Sequence, residues 1–366
     1  MAIDPAYQTV SRDDFPAMLD TQRYGKRSPH FEEIIARTEE HFWNPEDRDY
    51  VDLFTPPPKG EPLLPLDFVV EAHTAVWDRF DEGERIAFVN DSARWLTSNL
   101  LHGEQGALSL SASLCEMFLD PGAQEYAANQ VREEARHVHA FALYMQSRFD
   151  GEVLPVGDTI GGLLRELVSS DVVYKKIVGM QMLVEGLAMG AFTSLHKIAL
   201  DPTLRRLTQL IMTDEAFHHR FGKIWARTTM PGLDQAEHDA VEDWALECFN
   251  RLLYNMVNPE QKRVIYPRYG LDWQWVRSAV TEAFGDADRR RLMKQSTNVF
   301  RTLIKTLLNA GIVTERTRAT YAGWVDLDEL AAEGDRMVGD DLAEEGIASL
   351  KEINASKRKI VRKIGA

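Results

Sequence analysis

Two segments of this chain carry the same acids and histidines at the same spacing, and that repeat restricts the fold more than any other feature. Glu104 precedes Glu134 by 30 residues, and Glu185 precedes Glu215 by 30 as well. A shift of 81 residues lays Glu104 on Glu185, Glu134 on Glu215 and His137 on His218. The local sequences are REEARHVHAF and MTDEAFHHRF. Glu-x-x-His sets a carboxylate and an imidazole one turn apart on one helix face. The longer spacing matches one helix, a turn and part of the next. The repeat therefore predicts a helical hairpin used twice, with the same side chains turned inward each time.

The neighbours of these acids are apolar. Glu185 lies in the run Val178 to Met189, whose other members are apolar apart from two glycines and Gln181; Glu104 is followed by Gly106, Ala107 and Leu108. A buried glutamate without a partner must stay protonated or unfold its helix. Four carboxylates bring about four negative charges into a bundle core, which no fold tolerates uncompensated. Two divalent cations would supply that charge, and mixed oxygen and nitrogen donors without thiolate favour iron or manganese over structural zinc. Of ten histidines, only His137 and His218 have glutamate three residues before them. The predicted metal ligands are Glu104, Glu134, His137, Glu185, Glu215 and His218. Ligand imidazoles usually donate their other ring N–H to a carboxylate, and Glu133 and Asp214 are placed for that role across the bundle. His139 and His219 are off the ligand spacing and read as ordinary polar histidines.

The rest of the chain organises around this core. Residues 1–80 hold Pro56-Pro57-Pro58 and other breakers and read as an irregular arm, with short helical pieces near Phe31–His41. Long helices are expected at about 84–119 and 123–148, in a third that carries on to Leu200, and in a fourth opened by the Asp201-Pro202 cap and ending near Pro231-Gly232. A helical stretch from Thr159, broken near Ser169–Asp171, precedes the third. Further helices are expected at 234–257, 273–284, 286–310 and 314–322. The division is an arm at 1–80, a four-helix core at 81–230, and additional helices with a basic tail at 231–366. Nothing long alternates as a strand would, so the class is all-α.

With the motifs placed, residues 84–230 resemble the ferritin-like di-iron carboxylate superfamily, especially its ribonucleotide-reductase-small-subunit-like branch. Glu134-Ala-Arg-His137 looks like the first ligand pair of bacterial hydrocarbon monooxygenases. Asp214-Glu215-x-x-His218 is similar to the second pair there and in acyl carrier protein desaturases. The resemblance implies a ferritin-like bundle, two iron ions with a manganese–iron pair as the alternative loading, and O₂ chemistry. The sequence departs from each familiar subfamily at one position. Met189 and Ala188 stand where the monooxygenases and desaturases carry threonine, and Ile211 where arylamine N-oxygenases carry an extra histidine. Phe141 stands where reductase small subunits carry the radical tyrosine, and the end KRKIVRKIGA lacks their tyrosine.

The expected function is therefore an O₂-activating oxygenase or oxidase, of monooxygenase, N-oxygenase or desaturase type, acting on a small apolar or aromatic molecule. A radical-generating subunit is the alternative, and iron oxidation and storage ranks last. Gln181, Met189, Ile211 and Phe141 are the candidate pocket residues, with Gly103, Gly106, Ala107 and Ser111 leaving room beside Glu104. No flavin, haem or iron–sulfur ligand set occurs, so a separate reductase or ferredoxin is the expected electron donor, and a homodimer is compatible with these features. A net charge of −15 argues against nucleic acid as a partner. The basic end from Lys351 to Lys363 reads as a solvated tail. Cys115 and Cys248 form no disulfide framework, the polar N-terminus is no signal peptide, and no apolar run nears the ~20 residues of a membrane span. The expected location is cytoplasmic.

Overall fold

The computed structural model describes residues 4–285, 288 and 299–364. These residues are all-α, and beyond the isolated pairings of Asp4 with Thr9 and Thr9 with Phe118 they hold no strand. The core helices are α1 (Glu82–Cys115), α2 (Pro121–Phe149), α4 (Val173–Ile198) and α5 (Pro202–Thr229), with α3 (Asp158–Ser169) in the connection between α2 and α4. α1 packs along α2 and α4 along α5, so the repeat is built as two hairpins.

Capping chemistry sets where the helices begin. Asp81 accepts from Glu84 N at 2.8 Å while the Glu84 carboxylate accepts from Asp81 N at 3.0 Å, a reciprocal box at the start of α1. α2 and α5 both open on Asp-Pro: Asp120 accepts from Gly122 N at 2.7 Å and Asp201 from Thr203 N at 2.9 Å. Proline is the first helical residue in each, where its missing N–H costs nothing. α2 thus begins at Pro121, two residues before the expected start at 123, because the Asp120 cap holds the first turn.

The apolar side chains form two clusters with the acidic layer between them. On one side lie Leu110, Tyr126, Val178 and Phe221, and on the other Phe88, Phe141, Met189 and Ile211. On every core helix the ligand-type residues fall between these two sets. Each of the large buried side chains contributes roughly 1.5–3 kcal/mol of transfer energy, and together they clamp the polar layer from both ends.

One segment departs from the expected helix geometry. Within α4, Ile177–Val184 is a π-helix, and every residue of it is buried. Its wider i→i+5 turn ends at Glu185. Composition does not encode such a turn, so periodicity could not have located it. α4 also corrects the reading that no run is apolar enough to span a membrane. Val173–Ile198 passes that test by length and composition, with mean hydropathy 1.3, but 72% of its apolar window is buried inside the protein.

Beyond the core lie α6 (Gln235–Val257), α7 (Trp273–Ala283), α8 (Val299–Asn309) and α9 (Asp340–Ile364). α8 packs on α4 and α9 on α5. The C-terminal segment is thus a docked helix rather than the solvated tail expected. Its apolar face (Leu342, Ile347, Leu350) is buried, and Lys351 pairs with Glu40 at 2.9 Å and Lys357 with Asp49 at 2.9 Å. The start of the helix expected at 286 and the side chains of Arg358, Lys359, Arg362 and Lys363 lie outside the described residues. In the arm, Glu32–Arg37 and Thr38–His41 are short helical turns that carry His41 and Trp43 down onto α2 and α5.

Candidate metal centre

The structure brings the six ligand candidates into one buried cluster. Donor atoms of Glu104, Glu134, His137 and Glu215 lie within 4.8 Å of one another, and so do those of Glu134, Glu185, Glu215 and His218. Glu134 and Glu215 belong to both groups. Glu104 and Glu185 sit at the two ends, each in one group only. Such a cluster would hold two adjacent cations, with Glu134 and Glu215 within reach of both.

The imidazoles turn the same nitrogen inward. His137 Nδ1 is 3.2 Å from Glu104 Oε2, 3.2 Å from Glu215 Oε1 and 3.4 Å from Glu134 Oε2. His218 Nδ1 is 3.0 Å from Glu134 Oε1 and 3.4 Å from Glu215 Oε2. Outward, His137 Nε2 meets Asp214 Oδ2 at 2.8 Å, and His218 Nε2 meets Glu133 Oε2 at 2.9 Å. Glu133 and Asp214 each face the imidazole of the opposite hairpin. A proton on Nε2 leaves the Nδ1 lone pair for a metal.

Several inward atoms have no hydrogen bond although they are wholly buried: Glu134 Oε2, both oxygens of Glu215, and His218 Nδ1. Orphaned acceptors in such a place cost free energy unless something else satisfies them. Cations do so, and the donor set suits iron or manganese.

The electrostatics carry the same message. Burial, then the neighbouring Glu215 charge, pushes the Glu104 and Glu185 carboxyls well above the usual range. Burial also acts on Glu134 and Glu215, but the imidazoles outweigh it and hold both below that range. Burial would lower His137 and His218, yet the surrounding carboxylates lift both well above the ordinary imidazole value. The cluster is a sink for positive charge.

Further side chains, drawn partly from the arm, surround the two outer acids Glu133 and Asp214. Asp214 Oδ2 accepts from Arg136 Nη2 at 2.7 Å and from the Trp43 indole at 3.0 Å, besides His137. His41 Nε2 lies 3.3 Å from Glu133 Oε1 and 3.2 Å from Asp214 Oδ1, tying the two outer acids together. On the opposite side Gln130 Nε2 donates to Glu134 at 3.1 Å and to Glu185 at 3.3 Å. Gln130 lies one turn before Glu134 on the ligand face, a signal that could have been read; Arg136 shares the helix but not that face, and His41 and Trp43 come from sequence too distant to suggest it.

Not every expected residue reaches the same space. Gln181, Met189, Ile211 and Phe141 are all fully buried, but none lines the cavity that opens beside the ligands. Phe141 packs on Phe192, and both Gln181 amide atoms are without partners. His139 is half-exposed and pairs with Glu46 at 3.0 Å. His219 is buried, its Nε2 is 2.9 Å from Thr306 Oγ1, and burial depresses it to about 3, so its ring is neutral.

The cavity has a volume of about 350 Å³ and walls that are mostly apolar. Glu104 and Glu185 form part of its lining, beside Gly103, Ala107, Leu164 and Ala188. It follows one face of α1 from Ser92 to Ala107, and exposed Phe68, Val70 and Met256 surround its mouth.

No protein-family model and no curated protein matches the chain. Among solved structures, a point mutant of an R2-like ligand-binding oxidase with an anaerobically reconstituted Mn/Fe cofactor is similar at 14% identity and a TM-score of 0.40. That similarity covers 78% of this chain and 93% of the other.

Proposed function

We propose that the chain is an oxygen-activating di-iron oxidoreductase that oxidises a small apolar organic molecule. The observation that carries this reading is the meeting of two features at Glu104 and Glu185: a buried two-position ligand cluster and an apolar cavity open to it. Two iron ions there, or a manganese–iron pair, would supply redox-active binding of O₂. Glu134 and Glu215 would hold both ions at once, and Asp214 and Glu133 keep the two imidazoles turned inward. The apolar walls exclude water and position the substrate. Hydroxylation of such a substrate consumes O₂, two electrons and two protons and releases one water. A separate reductase or ferredoxin is the proposed electron source.

The second reading, a radical-generating subunit, has one observation in its favour. Trp43, Asp214 and His137 form an unbroken hydrogen-bonded chain from the arm to the cluster. Such a chain serves electron entry in either reading. The test is stopped-flow mixing of the reduced, iron-loaded protein with O₂, followed by turnover on hydrocarbons, arylamines and fatty acids. An oxygen-dependent visible absorption change with substrate oxidation is expected. A flat spectrum in protein shown to contain iron would sink the proposal.

A further inference from the structure

The cavity beside the ligands has a second polar pole, distant from the first. Lys262 lines it and sits over the Trp95 ring, 5.8 Å from its centroid. Lys262 Nζ contacts both oxygens of Glu71 at 3.2 Å, and Tyr266 donates to the same carboxylate at 2.8 Å. Glu71 is fully buried, so the pole is a fixed and internally neutralised ion pair. An ammonium has three protons, and Glu71 leaves capacity for a further acceptor. Ser92 also lines the cavity; it is 2% exposed, and its hydroxyl has no hydrogen-bond partner.

Spacing along α1 relates the two poles. Trp95 and Glu104 are nine residues apart on the face that lines the cavity, which is about 13 Å by helical rise. Between them the wall is Leu96, Asn99, Leu100 and Gly103 from α1, the Asn99 amide donating to Trp95 O at 2.8 Å, and Leu187, Ala188 and Ala191 from α4. A chain of roughly ten carbons spans that distance at single-bond spacing.

Resting on the oxidase reading above, we infer that the substrate is an uncharged amphiphile. Its head is a hydroxyl, carbonyl, ester or amide held by Lys262 and Ser92 at the mouth, and its apolar body points at Glu104 and Glu185. A neutral head fits because the pole is already balanced. A carboxylate would compete with Glu71 for Lys262 beside a fixed anion, and an alkylammonium would meet the lysine's own charge. Oxidation then falls on the end remote from the head.

The test is binding to metal-loaded protein, read by calorimetry and by Trp95 fluorescence against a Trp95→Phe control. The probes are 1-octanol, octanoate and octylammonium, and metal content is measured on the same samples. Octanol is expected to bind at least tenfold tighter than either ion. Ser92→Ala and the charge-neutral double variant Glu71→Gln/Lys262→Met should each weaken octanol about tenfold with metal content unchanged. Ala107→Phe, which narrows the inner end, should weaken it without altering the head-group order. Equal or tighter binding of octanoate, or no loss in the pole variants, overturns the inference. Loss of metal from the wild type would instead strike the oxidase reading, while the head-group preference would stand or fall separately.

Discussion

Replacing Asp214 by alanine tests the outer layer most directly. Three donors converge on its Oδ2: Arg136 Nη2 at 2.7 Å, His137 Nε2 at 2.8 Å and Trp43 Nε1 at 3.0 Å. Its other oxygen faces His41 at 3.2 Å. Asp214 is wholly buried and Arg136 nearly so, so water replaces none of these contacts without structural change. A buried donor left unmet costs about 1–3 kcal/mol, and breaking a buried charge pair about 3–5 kcal/mol. Because the donors share one acceptor, these terms overlap; a total loss of about 3–5 kcal/mol is expected. Urea unfolding of metal-free protein measures it. Metal affinity, from competition with a chelator, should fall about 10–100-fold because His137 loses its orienting acceptor. Glu133→Ala removes only the acceptor of His218 and one contact of His41, so its stability loss should be smaller. A loss below about 1 kcal/mol for Asp214→Ala, with unchanged metal affinity, would falsify the account of this layer.

Metal stoichiometry separates the shared from the terminal ligands: Glu185→Ala should lose one ion of two, and Glu134→Ala should weaken both, by elemental analysis. Full retention in both variants defeats the ligand assignment. Lys176 offers a pH test, because burial lowers its ammonium from 10.5 to about 8 while its Nζ donates to Ser113 and to two carbonyls that end α3. Between pH 8 and 10.5 the unfolded chain therefore binds more protons than the folded one, so unfolding free energy should rise with pH there relative to Lys176→Met. A flat difference across that window contradicts the assignment. For the radical alternative, the relevant phenol is Tyr126, which the structure places among the groups that feel His218 and Glu133. The Tyr126 hydroxyl is buried and has no acceptor for its proton among the described residues, so no long-lived tyrosyl signal is expected by electron paramagnetic resonance. A near-stoichiometric signal abolished by Tyr126→Phe would bring the radical subunit to first place.

Periodicity and spacing were enough to single out the six acids and histidines that the fold gathers into one cluster, the approximate course of the core helices, and the Asp201-Pro202 start of the last one. All of these are local statements. A helix face follows from residues three and four apart, and a cap from residues two and three apart, so one strand of sequence contains the whole cause. The tertiary structure decided whatever depends on distant segments or on a choice among nearly equal local geometries. His41 and Trp43 reach Asp214 across 171 or more residues of chain, and nothing near them in sequence announces it. The π turn before Glu185 changes which carbonyl each N–H finds, not which residues are present. The basic stretch expected as a tail from Lys351 is the end of a longer helix, held by Ile353 against the core and by Asn354, which accepts from Tyr50 and donates to Phe42 O; Tyr50 and Phe42 lie 304 and 312 residues away in sequence. Of the residues expected around the cavity, Gly103 and Ala107 line it while Gln181, Met189, Ile211 and Phe141 do not. Its walls come from α1, α3, α4 and the short helices at Val70–His73 and Pro259–Lys262, and proximity along the chain to a ligand does not say which side of the helix the empty space will lie on.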